Sequence, residues 1–71
     1  MNKSNANLED YEVITRRTAL LSVGTCKIVA KVKDRAKVDL YEIATTEDLQ
    51  KVVKMEQDGL YCDSLTFYRE K

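Results

Sequence analysis

The stretch from Cys26 to Gly59 constrains the fold more than any other part of the chain. An alternating run, a charged turn, a second extended run and a capped helix follow one another there without a gap. Cys26, Ile28, Ala30 and Val32 alternate with Lys27, Val29, Lys31 and Lys33, the period of two that marks a strand with one face buried. After Asp34-Arg35-Ala36 the chain returns through Lys37 to Ala44, with Val38 and Leu40 on one face and Tyr41 and Ile43 on the other. That mixed pattern fits either a bulge or burial on both faces. Thr45 then stands as an N-cap, Glu47 and Asp48 bring negative charge to the first turn, and Gly59 supplies a left-handed stop, so a helix is expected over 45–58. Leu49, Val52 and Val53 form its apolar stripe with Met55 at the flank, while Gln50, Lys51, Lys54 and Gln57 face water.

The flanking segments are less determined. From Leu60 to Tyr68 the chain reads as a final strand, Leu65 and Phe67 on one face and Thr66 and Tyr68 on the other. Glu9 to Val23 fits two descriptions. As a strand, its odd positions are mostly apolar, Val13, Ile14, Thr15 and Thr18 are β-branched, and Val23-Gly24-Thr25-Cys26 becomes a tight hairpin turn. As a helix, Asn7 caps it, Glu9 and Asp10 occupy the first turn and Gly24 follows its end. The helical stripe is interrupted by Asp10 and Arg17, so the strand fits better. Met1 to Asn7 is polar and aperiodic, which predicts a flexible tail or an arm that orders on contact.

These segments assemble into one small α+β domain spanning residues 1–71. The expected architecture is a three- or four-stranded, mainly antiparallel sheet with one amphipathic helix packed on one face. A core built from so few residues gives modest stability. With one helix, one sheet face is left over, and Val29, Tyr41, Ile43 and Tyr68 are the candidates to line it. Such a face or its edges dock a partner or a second copy, unless the N-terminal segment covers it.

The inventory for chemistry is thin. The sequence has no histidine, which removes the commonest general base and metal ligand. Cys26 and Cys62 are 36 positions apart, lack the spacing of a zinc site, and are expected to be buried structural thiols. Glu47 and Asp48 are explained by the helix dipole, and no calcium loop or phosphate-cradling glycine motif is present. The chain is therefore expected to be non-enzymatic and to need no cofactor or metal. The cysteine usage, and a first segment without an apolar signal region, lead to the expectation of a cytoplasmic protein. No apolar run approaches the roughly 20 residues of a membrane span.

Charge is what remains. Twelve basic and twelve acidic residues cancel overall, which argues against strong non-specific nucleic-acid binding. They are unevenly placed: residues 26–37 carry Lys27, Lys31, Lys33, Arg35 and Lys37 against Asp34 alone, and residues 38–71 carry eight acidic against four basic. Those five cations are the candidate partner-binding residues, expected to crowd one surface of the hairpin. The plain alternative is a solvated face, or an edge strand that lysines guard against unwanted pairing.

In its order of hairpin, helix and strand, its size, its high charge and its lack of catalytic groups, the segment 26–69 resembles small phage-encoded inhibitors of host machinery, such as RNA polymerase or CRISPR effector complexes. The resemblance is one of architecture and implies stoichiometric protein binding that blocks a site or displaces a subunit. The leading expectation is thus a protein-binding module, an inhibitor or regulator. A small nucleic-acid-binding protein using the basic hairpin, or a homodimeric structural subunit, are the alternatives.

Overall fold

The computed structural model describes residues 2–59 and 64–71. Six elements follow one another: β1 (Tyr11–Ile14), α1 (Arg16–Ser22), β2 (Ile28–Asp34), β3 (Lys37–Ile43), α2 (Thr46–Asp58) and β4 (Ser64–Glu70), with a 3-10 turn at Leu8–Asp10 before β1. The strands form one antiparallel sheet in the order β1-β4-β2-β3. The C-terminal strand therefore fills the gap between β1 and β2. The chain is an α+β domain, as its patterning predicts, with a second helix that the alternation over Glu9–Val23 conceals.

Each element has a local cause. In the β2–β3 hairpin Asp34 pairs with Lys37, leaving Arg35 and Ala36 as a two-residue turn. The register then runs unbroken to Ile28 opposite Ile43, which decides against a bulge in β3. Thr45 caps α2 as predicted. Its hydroxyl oxygen accepts from the Asp48 N–H at 3.2 Å, and the Asp48 carboxylate accepts from the N–H groups of Thr45 at 3.3 Å and Ala44 at 3.1 Å, a reciprocal capping box. Gly59 ends the helix at φ 66°, the left-handed region that glycine enters without a Cβ penalty.

Glu9–Val23 is divided between the two descriptions that fit it. Tyr11–Ile14 is a strand, Thr15 is an N-cap whose hydroxyl accepts from the Thr18 N–H at 3.1 Å, and Arg16–Ser22 is a helix. The hairpin expected at Val23–Cys26 is absent. Gly24 does adopt positive φ, at 89°, but in the turn that leaves α1, where Thr25 and Cys26 donate backbone bonds to the Ser22 carbonyl. The expected final strand begins at Ser64; its first part, 60–63, lies outside the described residues.

Both helices pack on one sheet face. Ala19 of α1 and Leu49 and Val52 of α2 are buried with Ile28, Ala30, Ile43 and Phe67, with Ile14, Tyr41, Val53 and Leu65 at the margin. Tyr41 and Ile43, assigned from sequence to the uncovered face, belong to this core. The pairing shows why: Ile28 lies opposite Ile43, and Ala30 opposite Tyr41 and Phe67, so all share one side of the pleat.

The N-terminal segment closes the other side. Instead of a free tail, Asn2 to Ser4 lie along the outer edge of β3, with Ser4 N–H donating to the Leu40 carbonyl at 2.7 Å and Glu42 N–H to the Asn2 carbonyl at 2.8 Å. From there the chain must reach β1 at the opposite edge, four strand spacings or about 19 Å away. The seven residues from Ser4 to Tyr11 reach about 24 Å at most, so they take a nearly straight path over the helix-free face. Val29, which points to that face, is accordingly only 2% exposed.

Two measurements test this account of the core and its helix. Leu49→Ala should cost about 2–4 kcal/mol and Thr45→Ala about 1 kcal/mol in denaturant unfolding, the first by leaving a cavity and the second by freeing a helix N–H. Desolvation works to raise the Asp48 carboxyl, but the N–H groups of Ala44 and Thr45 and the Thr45 side chain outweigh it and hold it below the ordinary value of 3.8. A depressed folded-state value means that the cap contributes fully above that pH and is lost as pH falls through the lowered value. Thermal melts from neutral pH down to about pH 2 should therefore show a smaller acid-induced loss for Asp48→Asn than for the parent, starting from a lower neutral-pH stability.

Candidate functional site

The five candidate cations do not form one patch. Lys31 and Lys33 project from β2 on the helix-free face, where their cross-strand neighbours are Leu40 and Thr66, and Val38 and Ser64, respectively. None of those neighbours is acidic. Among the described residues neither lysine has a carboxylate within ion-pair distance; Lys31 is half-buried, and Lys33 is exposed beside Val38, itself 48% exposed. Two ammonium groups with no ion-pair partner among the described residues therefore stand with an apolar side chain at the hairpin end of this face.

Lys27 and Lys37 are placed elsewhere. Lys27 precedes β2 and lies 3.9 Å from a Glu70 carboxylate oxygen. Lys37 pairs with Asp34 and so points to the helix face, where it sits 3.7 Å from Asp39, a carboxylate that Lys3 of the arm approaches at 3.6 Å. These are exposed pairs worth little in stability, but they neutralise the charge that a partner would meet. Arg35 occupies the tip of the turn at φ 57°. For a residue with a Cβ the left-handed region costs about 1–2 kcal/mol, so this position would fold more easily with glycine.

A second surface has no precedent in the sequence pattern. α1 and α2 enclose a groove of about 820 Å³ with Leu20, Leu49 and Val53 along it and Arg17 and Lys54 at its rim. Arg16 ties the helices together by an ion pair with Glu56. Sequence reasoning missed this groove because it missed α1. The signal was there: Thr15 as N-cap, a run of seven helix-compatible residues, and Gly24 shortly after.

Nothing in the described residues assembles a reactive centre. Cys26 is exposed, contrary to the expectation of a buried thiol, because the strand that was to hide it starts two residues later, at Ile28. Its sulfur accepts a long hydrogen bond of 3.8 Å from the Thr25 hydroxyl; Cys62 lies outside the described residues. No group of three or more metal-ligating side chains converges among the described residues. Arg69 is the best-anchored charge: its guanidinium donates to Glu12 at 2.7 and 3.1 Å and to the Ser22 hydroxyl at 3.5 Å. The hydrogen bond to Glu12 raises its pKa further, so it is a fixed cation that joins β4, β1 and α1.

No family model matches the sequence, and neither a curated protein nor a solved structure shows significant similarity to it. No helix is long and apolar enough to cross a membrane among the described residues.

Proposed function

We propose that this chain is a non-enzymatic protein-binding module that presents Lys31 and Lys33, with Val38 between the strands' ends, to an acidic protein surface. The observation that carries this reading is the pair of lysines that have no carboxylate partner among the described residues, while Lys27 is neutralised and Lys37 is both neutralised and turned to the helix face. Interfaces combine apolar contact with charge complementarity, and a lysine pair beside an exposed valine supplies both on a small scale.

Binding of this kind is stoichiometric, and the consequence for the partner is inhibition or regulation. A host complex such as RNA polymerase or a CRISPR effector, engaged at an acidic patch of its surface, is the partner class to test first. A nucleic-acid ligand is disfavoured by the zero net charge and by the ion pairing of Lys27 and Lys37.

The test is affinity capture with the tagged full chain, comparing the parent with Lys31→Glu/Lys33→Glu and with Lys27→Glu/Lys37→Glu. A protein held by the parent should be lost from the first variant and kept by the second, with affinity falling about tenfold or more for the double reversal. Equal capture by parent and Lys31→Glu/Lys33→Glu would overturn the proposal. So would a mobility shift with nucleic acid at low salt that weakens steeply as salt rises.

A further inference from the structure

We infer that β1 is the pairing edge of a symmetric dimer, and that its occupant is the β1 strand of a second copy of this chain. The two edges of the sheet are treated differently. The β3 edge is covered by the arm at Leu40 and Glu42 and carries Lys37 beside it. Among the described residues the β1 edge has no cover, and β1 itself has no lysine, no proline and no bulge, the devices that keep edge strands from pairing.

The open backbone groups of this edge are self-complementary. Lys71 N–H donates to the Asp10 carbonyl, so Asp10, Glu12 and Ile14 direct their backbone groups to β4, and Tyr11, Val13 and Thr15 direct theirs outward. Two outward groups are already used within the chain. The Tyr11 N–H donates to the Leu8 carbonyl, and the Thr15 carbonyl accepts from the Ala19 N–H at 2.9 Å. What stays open among the described residues is the Tyr11 carbonyl, both groups of Val13 and the Thr15 N–H.

An antiparallel pair with Val13 on the two-fold axis satisfies all of them. Each Val13 N–H donates to the other Val13 carbonyl, and each Thr15 N–H donates to the Tyr11 carbonyl of the second copy. Thr15 has the extended backbone this needs, at φ −77° and ψ 162°. The neighbouring register, with Tyr11 opposite Val13, would set Glu12 against Glu12 and is disfavoured by like charge. The Val13 register sets Glu12 against Ile14.

Side chains point the same way. Val13 is 67% exposed below the sheet at this edge, and Leu21 is 77% exposed on α1 above it. Leu21, two residues after the buried Ala19 and so about 200° round the helix from it, points away from the sheet, which leaves Val13 as the apolar side chain at the edge itself. With a net charge of zero, no long-range repulsion holds two copies apart. Such a dimer is one eight-stranded sheet with a two-fold axis normal to it, and both Lys31/Lys33 pairs lie on its same face, open to a partner.

Sedimentation velocity of the full chain from about 10 µM to about 500 µM tests this, together with exchange of the Val13 amide. The expected result is a concentration-dependent monomer–dimer equilibrium in which the Val13 amide slows as concentration rises. Val13→Lys, which sets two ammonium groups opposite each other at the axis, should weaken it by about tenfold or more with an unchanged circular dichroism spectrum. Lys51→Glu, at an exposed position of α2, should leave it unchanged. A monomer at every concentration, or a dimer indifferent to Val13→Lys, would overturn the inference.

Discussion

The insertion of β4 between β1 and β2 is the constraint on which the rest of the molecule depends. Its register sets Phe67 opposite both Ile14 and Ala30, so the last strand joins an early strand to the hairpin and puts an aromatic ring at the centre of the helix-packed face. Remove that pairing and β1 is a four-residue segment with no neighbour, and α1 loses the strand it covers. Two-stranded hairpins are marginal in water, so the β2–β3 unit, complete in sequence, becomes a stable sheet only when the C-terminal strand arrives. Pairing over such sequence separation also makes the domain a slow folder for its size.

The same insertion decides what happens at the edges. With β2 and β4 in the middle, β1 and β3 are exposed, and the chain uses its own first residues to cover one of them. The arm does two things at once: Asn2 and Ser4 occupy the β3 edge, and the crossing segment shields Val29. The Lys31/Lys33 pair is left at the hairpin end, beyond the crossing path, and the β1 edge is left open. Both surfaces available for interaction therefore follow from the path of one polar segment.

How much of this was legible in the sequence depends on how local its cause is. The hairpin and the capped helix were, because an alternating run, a two-residue turn, Thr45, Asp48 and Gly59 act within a few positions of one another. Arg16–Ser22 was not, because Ala19, Leu21 and Val23 at odd positions suit a period of two as well as a short helix, and Thr15 reads equally as a β-branched strand residue and as a cap. The arm was legible only as one of two possibilities, a flexible tail or an ordering segment, because a polar strand addition held by backbone bonds leaves no side-chain pattern to place it on the β3 edge. Of the candidate site, Lys31 and Lys33 could be read as one face from their spacing. The loss of Lys27 to Glu70 and of Lys37 to Asp39 depended on strand order and side, which hydrophobic periodicity does not encode.

Hydrogen exchange of backbone amides through a series of low denaturant concentrations tests the role of β4 most directly. If the inserted strand completes the sheet, the amides of Phe67, Tyr68 and Arg69 exchange with those of Ala30 and Val32, at the slowest rate in the protein and with the denaturant dependence of global unfolding. Faster exchange across β4 with a small denaturant dependence, while the β2–β3 amides stay protected, would mean that the hairpin and α2 stand without it and would contradict this account.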